Sequence, residues 1–153
     1  MIASRASNRG LTVIELLLVV TVGAVLMAVG TPLLRGAMVE QRLNASATDV
    51  SSALSEARRE AFRTGEVARV ELDPTDGRIS VFSRNVETGV VVERRRLYLP
   101  NGGVFNNVAA ATNYTFDTLG RPATLPMTVQ VRSVVTDAVR TVVVLGSGQV
   151  SIT

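Results

Sequence analysis

Residues 9–20 read RGLTVIELLLVV and place one acid, Glu15, near the start of a strongly apolar run. No charged residue occurs from Leu16 to Leu34, a stretch of nineteen residues. A helix rises about 1.5 Å per residue, so this length spans a hydrocarbon core of about 30 Å. A charged side chain inside a bilayer costs about 2.5–3.5 kcal/mol on insertion scales. Glu15 is therefore either a stray acid in a simple membrane anchor or one half of an ion pair.

The residues before the apolar run offer such a partner. An ordinary secretory signal has an A-x-A cleavage site after its apolar run, and this sequence has no good site there. The small residue that could mark a cut, Gly10, lies before the run instead. A cut after Gly10 would free an α-amine on Leu11, which stays largely cationic at pH 7. Glu15 lies four residues further along and could face this amine, or better, the amine of a neighbouring copy.

The heptapeptide GLTVIEL, residues 10–16, resembles the processing site of type IV pilins and type II secretion pseudopilins, usually read as G-F-T-L-I-E-L. The resemblance implies that a prepilin peptidase cuts between Gly10 and Leu11 and methylates the new terminus at Leu11. It also implies that Glu15 docks subunits into a filament by meeting the N-terminal amine of a neighbour. The sequence departs from the usual pattern at Leu11, where Phe is common, and at Val13.

The resemblance also implies partners and a location. The partners are other pilins or pseudopilins, the prepilin peptidase and the inner-membrane assembly platform. Arg5 and Arg9 precede the apolar run and keep the N-terminus cytoplasmic under the positive-inside rule. We therefore expect a single-pass protein of the bacterial inner membrane with a periplasmic head domain, which then enters a pilus or pseudopilus.

The first 65 residues are expected to form a leader and one long helix. Residues 1–10 are the leader, 11–34 a transmembrane and filament-core segment, and 35–65 an amphipathic second half. Gly30 and Pro32 predict a kink, because Pro removes a backbone donor and clashes with the preceding turn. Gly65 is expected to end the helix. An apolar stripe at spacings of three and four predicts the buried face of the second half; it comprises Leu43, Ala47, Val50, Leu54, Ala57 and Ala61.

After Gly65 the apolar period changes to two, which predicts a β-rich head domain over residues 66–153. Turn signals containing Pro, Asn, Asp and Gly separate the candidate strands. The expected strands are Val67–Leu72, Arg78–Arg84, Val90–Leu99, Tyr114–Asp117, Met127–Val135, Arg140–Leu145 and Gln149–Thr153. The predicted fold is α+β, with a long N-terminal helix packed on an antiparallel sheet as in pilins.

Composition argues against an enzyme. The chain has no Cys and no His, which excludes thiol chemistry, His-based catalysis and zinc sites built from these residues. We find no nucleophile–base arrangement, phosphate loop or metal cluster in the sequence. No catalytic residue, metal or cofactor is therefore expected.

Two further stretches resemble the GspH/FimT-type minor pilins: Ser55–Leu72, and Phe116-Asp117 with Gly120-Arg121-Pro122. The resemblance implies a subunit that caps the tip of a pilus or pseudopilus and helps to start its assembly. It leaves open whether the system is a type II secretion system, a type IV pilus or a competence system, and whether the subunit is major or minor in abundance.

A DNA-binding minor pilin for DNA uptake is the alternative function. Some FimT-like members bind DNA through a C-terminal Gly-Arg-x-Arg element, but the matching residues 148–151 read GQVS and lack both arginines. The net charge is only +3. The densest basic run, Arg94, Arg95 and Arg96, is a candidate for phosphate contact. Strand alternation predicts Arg94 and Arg96 on one face and Arg95 on the other, so we expect a polar sheet edge rather than a single patch.

Overall fold

A computed structural model describes residues 12–100 and 103–153, and for residues 30–34 the backbone alone. One helix, α1 (Val13–Thr64), comprises 52 residues and precedes all the strands. The α+β fold with an N-terminal helix and antiparallel strands is confirmed. The strands that follow are β1 (Ala68–Asp73), β2 (Arg78–Arg84), β3 (Val91–Tyr98), β4 (Gly103–Phe105), β5 (Thr112–Phe116), β6 (Met127–Ser133), β7 (Val139–Val144) and β8 (Val150–Ile152).

These strands form two sheets of four strands each. The first sheet has the order β3-β2-β1-β5 and the second the order β4-β6-β7-β8. Every pairing within them is antiparallel. The sequence predicted seven of the strands but not their division between two sheets.

The chain divides into two compact units, the first ending at Ala37 and the second covering Met38–Thr153. The second unit contains both sheets and the part of α1 from Met38 onward. Its core is built from one face of the helix and the inward faces of the strands. All six residues of the predicted helical stripe are at most 2% exposed, which confirms the stripe. Four of the helix residues in this core are alanines, which lets the strands approach the helix closely: Ala47, Ala53, Ala57 and Ala61.

The helix ends where the sequence predicts. The Gly65 N–H donates to the carbonyl of Ala61 at 3.0 Å. Gly65 has a φ of 65°, a left-handed conformation that glycine adopts at a helix C-terminus without steric penalty. The chain then enters β1, whose Ala68, Val70 and Leu72 are buried as the alternation requires.

Two parts of the second sheet differ from the prediction. The three-residue strand β4 begins at Gly103, within a stretch that reads as a turn. A Cβ at Gly103 would lie 2.8 Å from the Ser46 hydroxyl on α1, so a larger residue there would force that hydroxyl or the strand to shift. Strand β6 ends at Ser133 rather than Val135, because the Ser133 N–H bonds the carbonyl of Ala138 and closes a turn.

Candidate functional site

Glu15 lies in the first turn of α1, where it forms a capping box with Thr12. The backbone N–H and the hydroxyl of Thr12 donate to Glu15 Oε2 at 2.9 and 3.0 Å. The Glu15 N–H in turn donates to Thr12 Oγ1 at 3.3 Å. This reciprocal arrangement satisfies backbone donors that a helix start otherwise leaves unpaired. Glu15 therefore has a local partner within its own chain.

This local partner was not predicted, although the sequence contains its pattern. Thr12 and Glu15 have the spacing S/T-x-x-E before an apolar run, which is typical of a helix N-terminus. The predicted cleavage and methylation site, Gly10 and Leu11, lies outside the described residues. The pairing of Glu15 with an N-terminal amine therefore stays a prediction.

The part of α1 that follows Glu15 is apolar on all sides. The large apolar side chains from Val13 to Val29 are each 51–76% exposed. A helix that is apolar all round is normally covered, by a protein core or by lipid, and a continuous exposed surface of this kind marks an interaction site.

Within the described residues, no helix combines the length and the apolarity that a membrane crossing requires. The predicted span over residues 11–34 includes Leu11 and the side chains of residues 30–34, which lie outside the description. The backbone of α1 is helical throughout residues 13–64, including Gly30 and Pro32. The kink at these two positions stays a prediction.

The arginine run lies on β3, and each guanidinium group is paired with a glutamate. Arg94 Nε lies 3.5 Å from Glu60 Oε1, and Arg95 Nη1 lies 3.0 Å from Glu56 Oε2, both on α1. Arg96 Nε donates to Glu93 Oε1 of the same strand at 2.8 Å. A phosphate group would have to compete with a nearby carboxylate at each of these arginines.

The predicted alternation of these arginines is wrong, because β3 contains a bulge. Arg95 pairs with Val81 and Glu93 pairs with Phe82, so Arg94 is an extra residue in the register. A bulge shifts the side-chain alternation by one residue. Arg94 and Arg95 consequently both reach glutamates of α1, whereas Arg96 reaches Glu93.

These ion pairs also set the protonation of the acids. The hydrogen bond from Arg96 lowers the pKa of Glu93 to about 2, and a hydrogen bond from Ser80 contributes in the same direction. The hydrogen bond from Arg63 lowers the pKa of Glu60, with smaller contributions from Ser83 and Arg94. Both acids are therefore ionised at neutral pH, and the three arginines belong to a network of compensated charge.

The described residues offer no cluster of acids for a metal ion beside this network. Among residues 12–100 and 103–153 there is no group of three or more Asp and Glu side chains placed to hold a metal ion. The buried polar residues there include no titratable side chain. The functional features of the described residues are therefore ion pairs, an apolar helix surface and the edges of the two sheets.

Replacing Arg96 should raise the pKa of Glu93. In Arg96→Gln the pKa of Glu93 should rise from about 2 toward its ordinary value of 4.5, because the largest cause of the shift is removed. In the unchanged chain this acid contributes stability above pH 4.5, which is lost as the pH falls toward 2. NMR titration of the carboxyl carbon measures the change. Arg95→Gln is the control, since Arg95 pairs with Glu56, and a Glu93 that titrates near 4.5 in the unchanged chain would contradict the assignment.

The fold of the described residues is similar to that of solved minor pilins. The minor pseudopilin EpsH from the type 2 secretion system of Vibrio cholerae aligns with a TM-score of 0.58 at 16% identity, covering 73% of this chain and 96% of that one. The type IV minor pilin FimU of Pseudomonas aeruginosa strain PAO1 aligns with a TM-score of 0.59 at 17% identity, covering 74% of this chain and 90% of that one. No protein-family model and no curated protein matches the sequence significantly. The chain therefore has the fold of the type IV pilins and pseudopilins.

Proposed function

We propose that this chain is a minor pilin or pseudopilin. Prepilin peptidase removes residues 1–10, and the mature chain enters the inner membrane through the apolar start of α1. It then assembles into, or at the tip of, a type IV pilus or a type II secretion pseudopilus and helps to start its assembly. The chain acts as a structural subunit and not as an enzyme.

One observation carries this proposal: a pilin-like fold whose helix begins with an acid and then exposes apolar side chains on every side. The exposed apolar side chains extend from Val13 to Val29. Such a surface needs a lipid or helical environment, and a filament core supplies helices. The solved neighbours include a type 2 secretion pseudopilin and a type IV minor pilin, so the fold is compatible with either system.

Glu15 has a defined place in this proposal. Its carboxylate starts out hydrogen-bonded to Thr12. In the assembled filament it meets the N-terminal amine of a neighbouring pilin subunit. An ion pair in an apolar environment is poorly screened and depends strongly on geometry, so this contact sets the axial register between subunits.

Processing can be measured directly. Mass spectrometry of the protein recovered from the membrane should show a chain that begins at Leu11 and carries an N-methyl group. A Gly10→Val variant should keep its leader, because the small residue at the junction is lost. An intact Met1 terminus in the unchanged protein, or a cut beyond residue 30, would contradict the proposal.

Three variants separate the two uses of Glu15. Glu15→Val removes both the charge and the cap, whereas Glu15→Gln removes the charge and keeps a group that can complete a capping box. Both should be processed and inserted normally but should fail to enter filaments, because neither can pair with an amine. Thr12→Val, which keeps the carboxylate and loses the hydroxyl cap, should still enter them. Immunoblots of sheared filaments and membranes measure the partition. Normal incorporation of Glu15→Gln would mean that the acid serves only to cap the helix.

A DNA-binding minor pilin for DNA uptake is the alternative, and its candidate contacts are Arg94, Arg95 and Arg96. All three are engaged with glutamates, so the geometry favours the structural role. We expect DNA retention by the full chain to be unaffected when all three are changed to Gln. The matched control changes three exposed arginines that have no ion pair within the described residues: Arg42, Arg59 and Arg121. Loss of retention in the first triple alone would favour the alternative.

A further inference from the structure

A groove of about 570 Å³ lies between the end of α1 and the last strand of the second sheet. Its walls include Arg58, Arg59 and Phe62 from the helix, Leu119 from the loop after β5, and Val150 from β8. All of these residues belong to the unit Met38–Thr153. Nothing in the role proposed for Glu15 uses this part of the molecule.

The groove exposes large apolar side chains. Phe62 is 72% exposed and Leu119 is 61% exposed. An aromatic side chain contributes a large contact area when it becomes buried and is enriched at the centres of protein interfaces. Phe62 and Leu119 therefore offer an apolar contact for a partner.

The groove also carries positive charge that no acid of its walls compensates. Arg58 is fixed in place, because its Nη2 donates to the carbonyl of Ser147 at 3.0 Å. A Cβ at Gly148 would lie 2.7 Å from Arg58 Nε, and one at Gly120 would lie 3.1 Å from Arg58 Cγ. Two glycines thus make room for this side chain. Arg59 is exposed and has no ion pair or hydrogen bond from its guanidinium group within the described part of the chain.

The third feature is the open edge of β8. In the described sheets this strand has one neighbour, β7. Thr153 and Thr141 exchange both of their backbone hydrogen bonds at 2.8 Å. Because antiparallel strands alternate the direction of their backbone groups, the N–H and C=O groups of Val150 and Ile152 point away from β7. An extended peptide could pair with them.

We propose that this groove receives an extended segment of another subunit of the same assembly. In that segment an Asp or Glu side chain pairs with Arg58 and Arg59, and apolar side chains pack on Phe62 and Leu119. The segment adds a strand beside β8, a common mode of peptide recognition. This proposal rests on the proposed function for the identity of the partner as a subunit.

A peptide suits the groove better than a nucleic acid does. The groove combines two arginines with apolar walls, and only one of the two guanidinium groups lacks a partner of its own. Nucleic-acid grooves instead follow a backbone of phosphates with a row of cations and stacking aromatic rings. The free backbone groups of β8 pair naturally with another peptide backbone.

The experiment uses the full chain in detergent micelles and a blocked peptide, acetyl-TVTETVT-amide. Residues two apart share one face of a strand, so the two valines and the glutamate of the peptide face the groove together. NMR should show shifted amide signals at Phe62, Val150 and Ile152. The counterpart acetyl-TVTQTVT-amide should bind at least about tenfold more weakly, because it lacks the charge-assisted hydrogen bond.

Variants of the chain complete the test. Arg59→Gln and Phe62→Ser should each weaken the binding of the acidic peptide by about tenfold or more. Both side chains are exposed, so these changes should leave the fold intact, as the NMR spectra verify directly. Arg42→Gln is the matched control, since Arg42 lies on the same helix about 25 Å away and is also unpaired in the described structure.

Three results would overturn the proposal. The two peptides could bind equally, Arg59→Gln could have no effect, or a single-stranded thymidine oligonucleotide could bind through Arg59 when the peptide does not. None of these measurements depends on leader cleavage or on Glu15. A failure here therefore leaves the proposed function standing. A failure of the proposed function would leave the binding of the acidic peptide unchanged but would remove the identity of the natural partner as a subunit.

Discussion

The packing of the second unit depends on small side chains along one face of α1. Ala47, Ala53, Ala57 and Ala61 are at most 1% exposed, and the strands supply most of the large core side chains. A larger residue on this face would overpack the core, which typically costs about 1–3 kcal/mol. Buried Ser46 extends the same face by bonding its hydroxyl back to the carbonyl of Arg42 at 2.9 Å. Both sheets can therefore contribute to a single core around the helix.

Most charged side chains in this unit form ion pairs rather than extended patches of a single sign. All sixteen basic residues of the chain are arginines, whose planar guanidinium groups suit carboxylates. Arg140 bonds both Glu40 and Asn44 of α1, and Arg78 lies near Glu71 and Asp73. Exposed pairs of this kind contribute little to stability, because solvent screens them. The pairs that join a strand to α1, such as that of Arg140 with Glu40, help to fix where the strand meets the helix. Arg59 is among the arginines that have no ion pair within the described residues.

Much of the fold could be predicted from the sequence, because it follows from local patterns. The helical stripe from Leu43 to Ala61, the helix end at Gly65 and seven strands all have direct periodic or turn signals. Strand β4 has only three residues and begins at Gly103, so it carries no alternation to detect. Its place is set by antiparallel pairing with β6, a strand that lies more than twenty residues further along the chain.

The candidate site was less predictable, because most of its features also arise from contacts between distant parts of the chain. The bulge at Arg94 arises from the register between β2 and β3, a property of the pair that neither strand shows alone. The groove beside Phe62 is lined by three segments that are distant in the sequence, so no sequence motif predicts it. The capping box of Thr12 and Glu15 is different, because its spacing is local and could have been recognised.

If Glu15 docks subunits as proposed, its hydrogen bonds to Thr12 bear on how strongly subunits join. The N–H and hydroxyl of Thr12 stabilise the carboxylate of the separate chain, but these neutral donors do not cancel its negative charge. Docking would exchange these hydrogen bonds for an ion pair, so the net free energy would be smaller than the strength of that pair alone. An exchange of this kind would allow a wrongly placed subunit to leave, and a fibre to grow or shrink with little change in conditions.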